Sequence, residues 1–186
     1  MADTRAIGAI ELSSIGVGYK AQDEMLKAAS VDLLLARTIC SGKYLVVVGG
    51  AVTDVTSSIE TALAISDEAV IDSLILPNVH EGVFPALGQS VVLEEDGLGA
   101  LGVIETFSGT SVIAAADAAA KAGKVTLFKI HLAMALGGKG FCLLTGDISD
   151  VQAAVKAGAA AARDRGLLVS EVVIPRPCEE LFTEYI

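Results

Sequence analysis

The chain's 186 residues are 53% hydrophobic and only 19% charged, enough apolar material for one large domain or two small ones with real cores. A formal net charge of -10 argues against a nucleic-acid partner, because phosphate binding needs a basic surface. The mean hydropathy of +0.63 would suit a membrane protein, yet charges interrupt every apolar stretch short of the roughly 18 residues that a span requires.

The N-terminal MADTRAIGAIEL lacks the basic start and long apolar run of a signal peptide, so the chain reads as soluble and cytosolic. A strand is predicted over Ala6–Leu12, then a helix over about Tyr19–Ala29. Met25, Leu26 and Ala29 form the apolar face of that helix, with Asp23 and Lys27 off it. Strands Val31–Ile39 and Lys43–Val48 follow, separated by a tight turn at Cys40, Ser41 and Gly42. A second helix starts after Thr53 or Asp54. A fourth strand over Ile71–Leu76 ends at Pro77, whose missing N–H stops strand pairing, and a helical tail spans His80–Leu87.

The remainder gives the same order again: strand Ala100–Thr106, helix Thr110–Ala122, strands Val125–Ala133 and Gly140–Leu144. A helix then begins after Ser149, where Ser149 and Gln152 have the spacing of a capping box. Strand Leu168–Ile174 stops at Pro175, and a tail covers Cys178–Phe182.

This is an internal duplication. Gly8, Ile10 and Glu11 recur as Gly102, Ile104 and Glu105, and KAASVDLL from Lys27 meets KAGKVTLF from Lys121, each 94 positions on. GGAVTDV from Gly49 meets TGDISDV from Thr145 at an offset of 96, and LILPNVHEGVF from Leu74 meets VVIPRPCEELF from Val172 at 98. A repeat of this size is a domain and not a solenoid unit. Two domains of one fold are expected, 1–90 and 97–186, each β-α-β-β-α-β: α+β, ferredoxin-like, with helices on one face of a sheet.

The sequence holds no dinucleotide-binding glycine pattern and no P-loop. With His80 and His131 as its only histidines, a metal cage from one subunit is improbable, and His131 in a strand reads as a core or edge residue. Glu11 and Glu105, repeated carboxylates at first-strand ends, read as structural hydrogen-bond acceptors, and no nucleophile-base-acid constellation stands out. An enzyme is not expected. Three cysteines in a reducing compartment favour free thiols or metal ligation over disulfides; Cys142 alternates into an apolar strand as a core residue, and Cys178 reads as a peripheral thiol.

The repeated A-(I/L)-G-x-I-E, the KAA and KAG stretches ending the first helix of each half, the glycine-containing turn before a strand, and GDISDV resemble the bacterial microcompartment (BMC) shell domain. Two such domains in tandem are similar to the trimer-forming shell proteins. RTICSGKY and VIPRPCEE resemble motifs of the T type from propanediol-utilisation compartments.

That resemblance implies a homotrimer: a flat pseudo-hexamer of six domains around a central pore, tiling with other shell proteins into a microcompartment shell in the cytoplasm. It assigns Cys40, Ser41 and Gly42, and Ala135, Leu136, Gly137 and Gly138, to the pore lining, with Met134 in the place of Cys40. Lys27 and Lys121 fall at tile edges beside Asn78 and Arg176, where the residues alone suggest only a solvated helix face. The T type implies a [4Fe–4S] cluster shared by three chains through Cys40, passing electrons across the shell to or from a redox partner inside. Two other readings stand beside it: a tile without cluster whose pore passes small metabolites, and a ferredoxin-like regulatory trimer binding a small ligand.

Overall fold

The computed structural model describes residues 6–93, 98–134 and 136–183. In chain order the first elements are β1 (Ala6–Leu12), α1 (Ile15–Ala28), β2 (Asp32–Ile39), β3 (Lys43–Gly50), α2 (Val52–Ser66), β4 (Val70–Pro77) and the short α3 (Val83–Leu87). They are followed by β5 (Ala100–Thr106), α4 (Gly109–Ala122), β6 (Val125–Leu132), β7 (Gly140–Gly146), α5 (Ile148–Asp164), β8 (Leu168–Ile174) and α6 (Glu180–Thr183). The sheets are ordered β2-β3-β1-β4 and β6-β7-β5-β8. In the first, β3 pairs antiparallel with both β1 and β2, so β1 and β2 run parallel with β3 inserted between them. This is the ferredoxin-like, α+β arrangement expected for each repeat.

Packing divides the chain into two compact units. One runs to Val79 and takes in Ser108–Thr110 and Leu132–Lys139; the other comprises His80–Phe107, Ser111–His131 and the chain from Gly140 onward. These units are defined by contacts, whereas the 1–90 and 97–186 division follows the sequence repeat.

Alternation along β1 and β3 builds the first core. Ile10 and Leu12 of β1 and Tyr44, Val46 and Val48 of β3 pack with Ala21 and Met25 of α1 and with Ile59 and Ala62 of α2. Burying each of the larger aliphatic side chains contributes about 1.5–3 kcal/mol. Close approach requires glycine at two places: a Cβ on Gly8 would lie 2.6 Å from Ile59 Cγ1, and one on Gly18 would lie 2.5 Å from the Tyr44 ring. Buried Ser58 donates from Oγ to the Met25 carbonyl at 3.2 Å, joining α2 to α1. In the second unit, Leu101, Phe128, Leu143 and Phe182 form a cluster, with the two phenyl rings 5.9 Å apart. No helix among the described residues is long and apolar enough to cross a membrane.

The elements differ from expectation in local ways. Helix α1 starts at Ile15, because Ser14 accepts the Val17 N–H (3.4 Å) as N-cap. Gly16 and Gly18 disguised that first turn as a loop. Its buried face is Gly18, Ala21 and Met25, while Leu26 stays 39% exposed. Ser149 lies inside α5, whose N-cap is Asp147 without a side-chain bond, so no capping box forms. The helical tails shrink to α3 and α6.

Gly158 of α5 provides a test of this packing, since a Cβ there would lie 2.5 Å from the carbonyl oxygen of Ala115 in α4. Gly158→Ala gains about 1 kcal/mol of helix propensity, but a packed backbone oxygen yields less than a side chain, which puts the cost of overpacking at about 2–3 kcal/mol, the upper part of its usual range. The expected net loss is about 1–2 kcal/mol, read as a fall in Tm of roughly 2–8 °C by circular dichroism. An unchanged or raised Tm would show that α4 and α5 are not in close contact there.

Candidate functional site: two turns over a buried ion pair

The turn between β2 and β3 spans Cys40–Gly42, and in it Ser41 (φ 66°) and Gly42 (φ 71°) both adopt left-handed backbone. Nothing lies near Gly42 to obstruct a side chain, so its requirement is conformational. Cys40 is half-buried, and Ser41 and Gly42 are exposed.

The repeat-equivalent turn after β6 belongs to the same compact unit. It too is built on left-handed residues: Ala133 (φ 57°), Gly137 (φ 63°) and Gly138 (φ 92°). Met134 and Gly137 are exposed, Leu136 is half-buried and Gly138 is buried; Ala135 lies outside the described residues. Two hydrogen bonds link the turns. The Cys40 N–H donates to the Ala133 carbonyl at 3.3 Å, and the Arg37 guanidinium donates to the Leu132 carbonyl at 2.9 Å. Burial pushes the Arg37 pKa down from its ordinary value.

Beneath the turns lies Glu11, fully buried at the end of β1. One of its oxygens accepts from Lys43 Nζ at 2.9 Å and the other accepts the Gly109 N–H at 3.1 Å. A buried carboxylate is tolerable only when paired and hydrogen-bonded, and both conditions are met. Lys43 stands at the first residue of β3, and its ammonium lies where a Cβ on Gly138 would come within 3.3 Å. It therefore sits under both turns. The expected backbone bond to Glu11 is present, but the ion pair is an addition. Lys43 is held by Glu11, so its charge is balanced there. Glu105, the repeat counterpart, accepts from Ser170 Oγ at 3.0 Å.

Alongside, Asp72 accepts from Ser108 Oγ at 2.7 Å and from the Thr110 hydroxyl. Sequence reading passed over this polar cluster; the run Ser108-Gly109-Thr110-Ser111 at a helix start was the available signal.

The three thiols are chemically distinct. Cys142 in β7 is fully buried, and desolvation pushes its pKa up to about 12, so it carries no thiolate at neutral pH. Cys178 is exposed, as expected of a peripheral thiol. Among the described residues no three His, Cys, Asp or Glu side chains gather as a metal site within one chain. His131, buried in β6, stacks on Phe141 with ring centroids 5.1 Å apart.

The four other predicted residues stand at or near the surface. Lys27 of α1 pairs with Asp23, whose hydrogen bond and charge raise the Lys27 pKa. Lys121 of α4 pairs with buried Asp117 at 2.6 Å, and that carboxylate also accepts the His80 N–H at 2.8 Å. Asn78 (φ 52°) and Arg176 are exposed just beyond β4 and β8.

Comparison with known proteins matches the BMC domain to this chain twice, over residues 6–79 and 100–177. The bacterial microcompartment shell protein PduT of Citrobacter freundii is 43% identical over 183 residues, 98% of each chain. The shell protein EutM of Salmonella typhimurium is 46% identical over 88 residues, which are 45% of this chain and 88% of its own. The crystal structure of a microcompartment protein from Desulfitobacterium hafniense superposes with a TM-score of 0.89 at 46% identity, covering 97% of this chain and 99% of that one.

Lys43→Met leaves the Glu11 charge with only the Gly109 N–H. The expected cost is about 2–4 kcal/mol, toward the lower end for removing one partner of a buried pair because Lys43 is partly solvated. Adding Glu11→Gln should recover part of that loss in urea unfolding; strictly additive losses would mean the two groups do not interact. Alkylation followed by mass spectrometry should modify Cys178 in the native chain at pH 8 and Cys142 only after unfolding. Fast native modification of Cys142 would contradict its burial.

Proposed function

This chain belongs to the BMC domain family and is a structural protein of a bacterial microcompartment shell in the cytoplasm; we propose that three copies close into a tile whose central pore holds a [4Fe–4S] cluster on their Cys40 thiolates. The observation that supports this reading is the half-buried Cys40 at the head of a left-handed turn. One chain offers one suitable thiol, so a cubane, which normally takes four thiolates, must be shared between copies. Three copies supply three thiolates and leave one iron for a non-protein ligand.

The donor chemistry fits. Cys40 is a soft ligand at the head of a turn; Cys142 is excluded by burial, and Cys178 belongs to neither turn, following β8 in the chain. When bound, the cluster supplies one-electron transfer across the shell, and a redox partner inside the compartment completes the circuit. The chain's own residues set its place. Ser41 and Gly42 turn the backbone so that Cys40 heads it, Arg37 and the Cys40 N–H fix this turn to the second one, and the Glu11–Lys43 pair supports both from below.

In this tile Ser41, Gly42, Ala135, Leu136, Gly137 and Gly138 complete the pore lining. Lys27, Lys121, Asn78 and Arg176 face neighbouring shell proteins. A tile without cluster, passing small metabolites, is the second reading, and the consecutive left-handed Gly137 and Gly138 favour it as a pliable rim.

Protein purified without oxygen should absorb broadly in the visible range and carry about four irons and four sulfides per three chains. Cys40→Ser should abolish both while the assembly persists by light scattering. A colourless preparation that still tiles would select the metabolite pore; a discrete trimer that never tiles at moderate salt would select the regulatory reading.

A further inference from the structure

The two repeats differ in one charge beside the cysteine turn. Three residues before Cys40 stands Arg37; 94 positions on, three before Met134, stands His131, whose ring stacks on Phe141. The turn that carries the thiol has a guanidinium ahead of it, and the turn that carries the thioether has none.

Arg37 is half-buried and poorly matched. Among the described residues its one hydrogen bond goes to a neutral acceptor, the Leu132 carbonyl at 2.9 Å, and its buried Nε has no partner. The sheet explains why no acid of the chain meets it. Arg37 stands opposite Leu45 of β3, and Leu45 stands opposite Glu11 of β1. The acid of this cross-strand row is therefore two strands away, about 10 Å by strand spacing. Both oxygens of Glu11 are already engaged, one by Lys43 and one by the Gly109 N–H. Burial disfavours the charged guanidinium, which lowers its pKa. Buried charges are as a rule paired, and the pairing of this one is not made among the described residues.

The location of the charge narrows the choice of counter-ion. Arg37 donates to Leu132 and Cys40 donates to Ala133, so guanidinium and cysteine are anchored on consecutive residues. The other cation at the turns, Lys43, is balanced by Glu11. An iron–sulfur core held by three thiolates is an anion, and one-electron reduction adds a further negative charge. We propose that Arg37 supplies the positive charge that balances a cluster bound at Cys40 and favours its reduced form. This inference rests on the cluster reading above and adds a residue that biases the potential. The electron comes from the redox partner, and no proton has to move with it because a guanidinium stays charged throughout.

The test is a dithionite titration, followed by visible absorbance, of protein purified without oxygen. Arg37→Gln keeps a side-chain donor and removes the charge, and its midpoint potential should fall below that of the parent. Arg37→Lys keeps the charge without the planar fork, and its midpoint should stay near the parent's. Iron lost from the glutamine variant and kept by the lysine variant would support the charge equally. Raising the salt should leave most of the difference, since a partly buried charge is weakly screened. If neither variant moves the midpoint, or both move it alike, Arg37 only ties the turns together and the inference falls while the cluster stands. If Arg37→Gln instead breaks the assembly, seen by light scattering, the counter-ion is an acid of a second copy and the inference is again wrong. If the parent itself holds no iron, the cluster reading fails and takes the inference with it.

Discussion

A carboxylate with no exposure to water constrains everything around it. Glu11 sits at the end of a strand paired on both edges, and moving β1 by one residue would drive that charge into the apolar layer beneath α1 and α2. Its two partners come from separate places, Lys43 at the start of β3 and the Gly109 N–H at the start of α4. One group thereby fixes the register of the sheet, the depth of the cysteine turn and the seating of the Ser108–Thr110 segment. The Coulomb attraction offsets a desolvation cost of several kcal/mol, so the gain lies in uniqueness of arrangement more than in net stability.

The same glutamate in the other repeat has a different life. Glu105 accepts from Ser170, where the first repeat has Asp72 at the equivalent position, and Asp72 instead gathers the hydroxyls of Ser108 and Thr110. Duplication preserved the carboxylate while its surroundings diverged. The divergence follows exposure. Helix α4 is alanine-rich and covered, and α1 keeps charged and amide side chains where water reaches them. Small buried residues and long solvated ones are the two stable answers to opposite environments on one backbone.

Much of the fold was legible because the duplication gave two readings of each element. The strands β1, β5 and β8 were placed to the residue by alternation and, for β8, by the proline that follows it. Pro77, by contrast, is the last residue of β4 and pairs opposite Ala6 instead of ending the strand before it. The first turn of α1 was hidden because Gly18 serves the Tyr44 ring, a tertiary demand that local propensity reads as a helix breaker. Ser149 misled for the opposite reason: its spacing to Gln152 is that of a cap, but Asp147 already held the N-cap position. At the site, the turn position of Cys40 and the burial of Cys142 followed from pattern alone. The ion pair of Glu11 and Lys43, 32 residues apart in the chain, did not, because nothing local ties those two side chains together. The Asp72 cluster was invisible for the same reason.

Joining the two repeats covalently has a statistical consequence. If thiol-bearing and thiol-lacking halves were separate polypeptides assembling at random into rings of six, the number of sulfurs facing a pore would be distributed binomially, and few rings would match a metal cofactor's needs. In the proposed ring, fusion would force strict alternation, because every Cys40 would arrive with a Met134 from the same chain. A peptide bond would thereby set the ligand stoichiometry of the proposed cluster, and no recognition between unlike subunits would have to be selected for it.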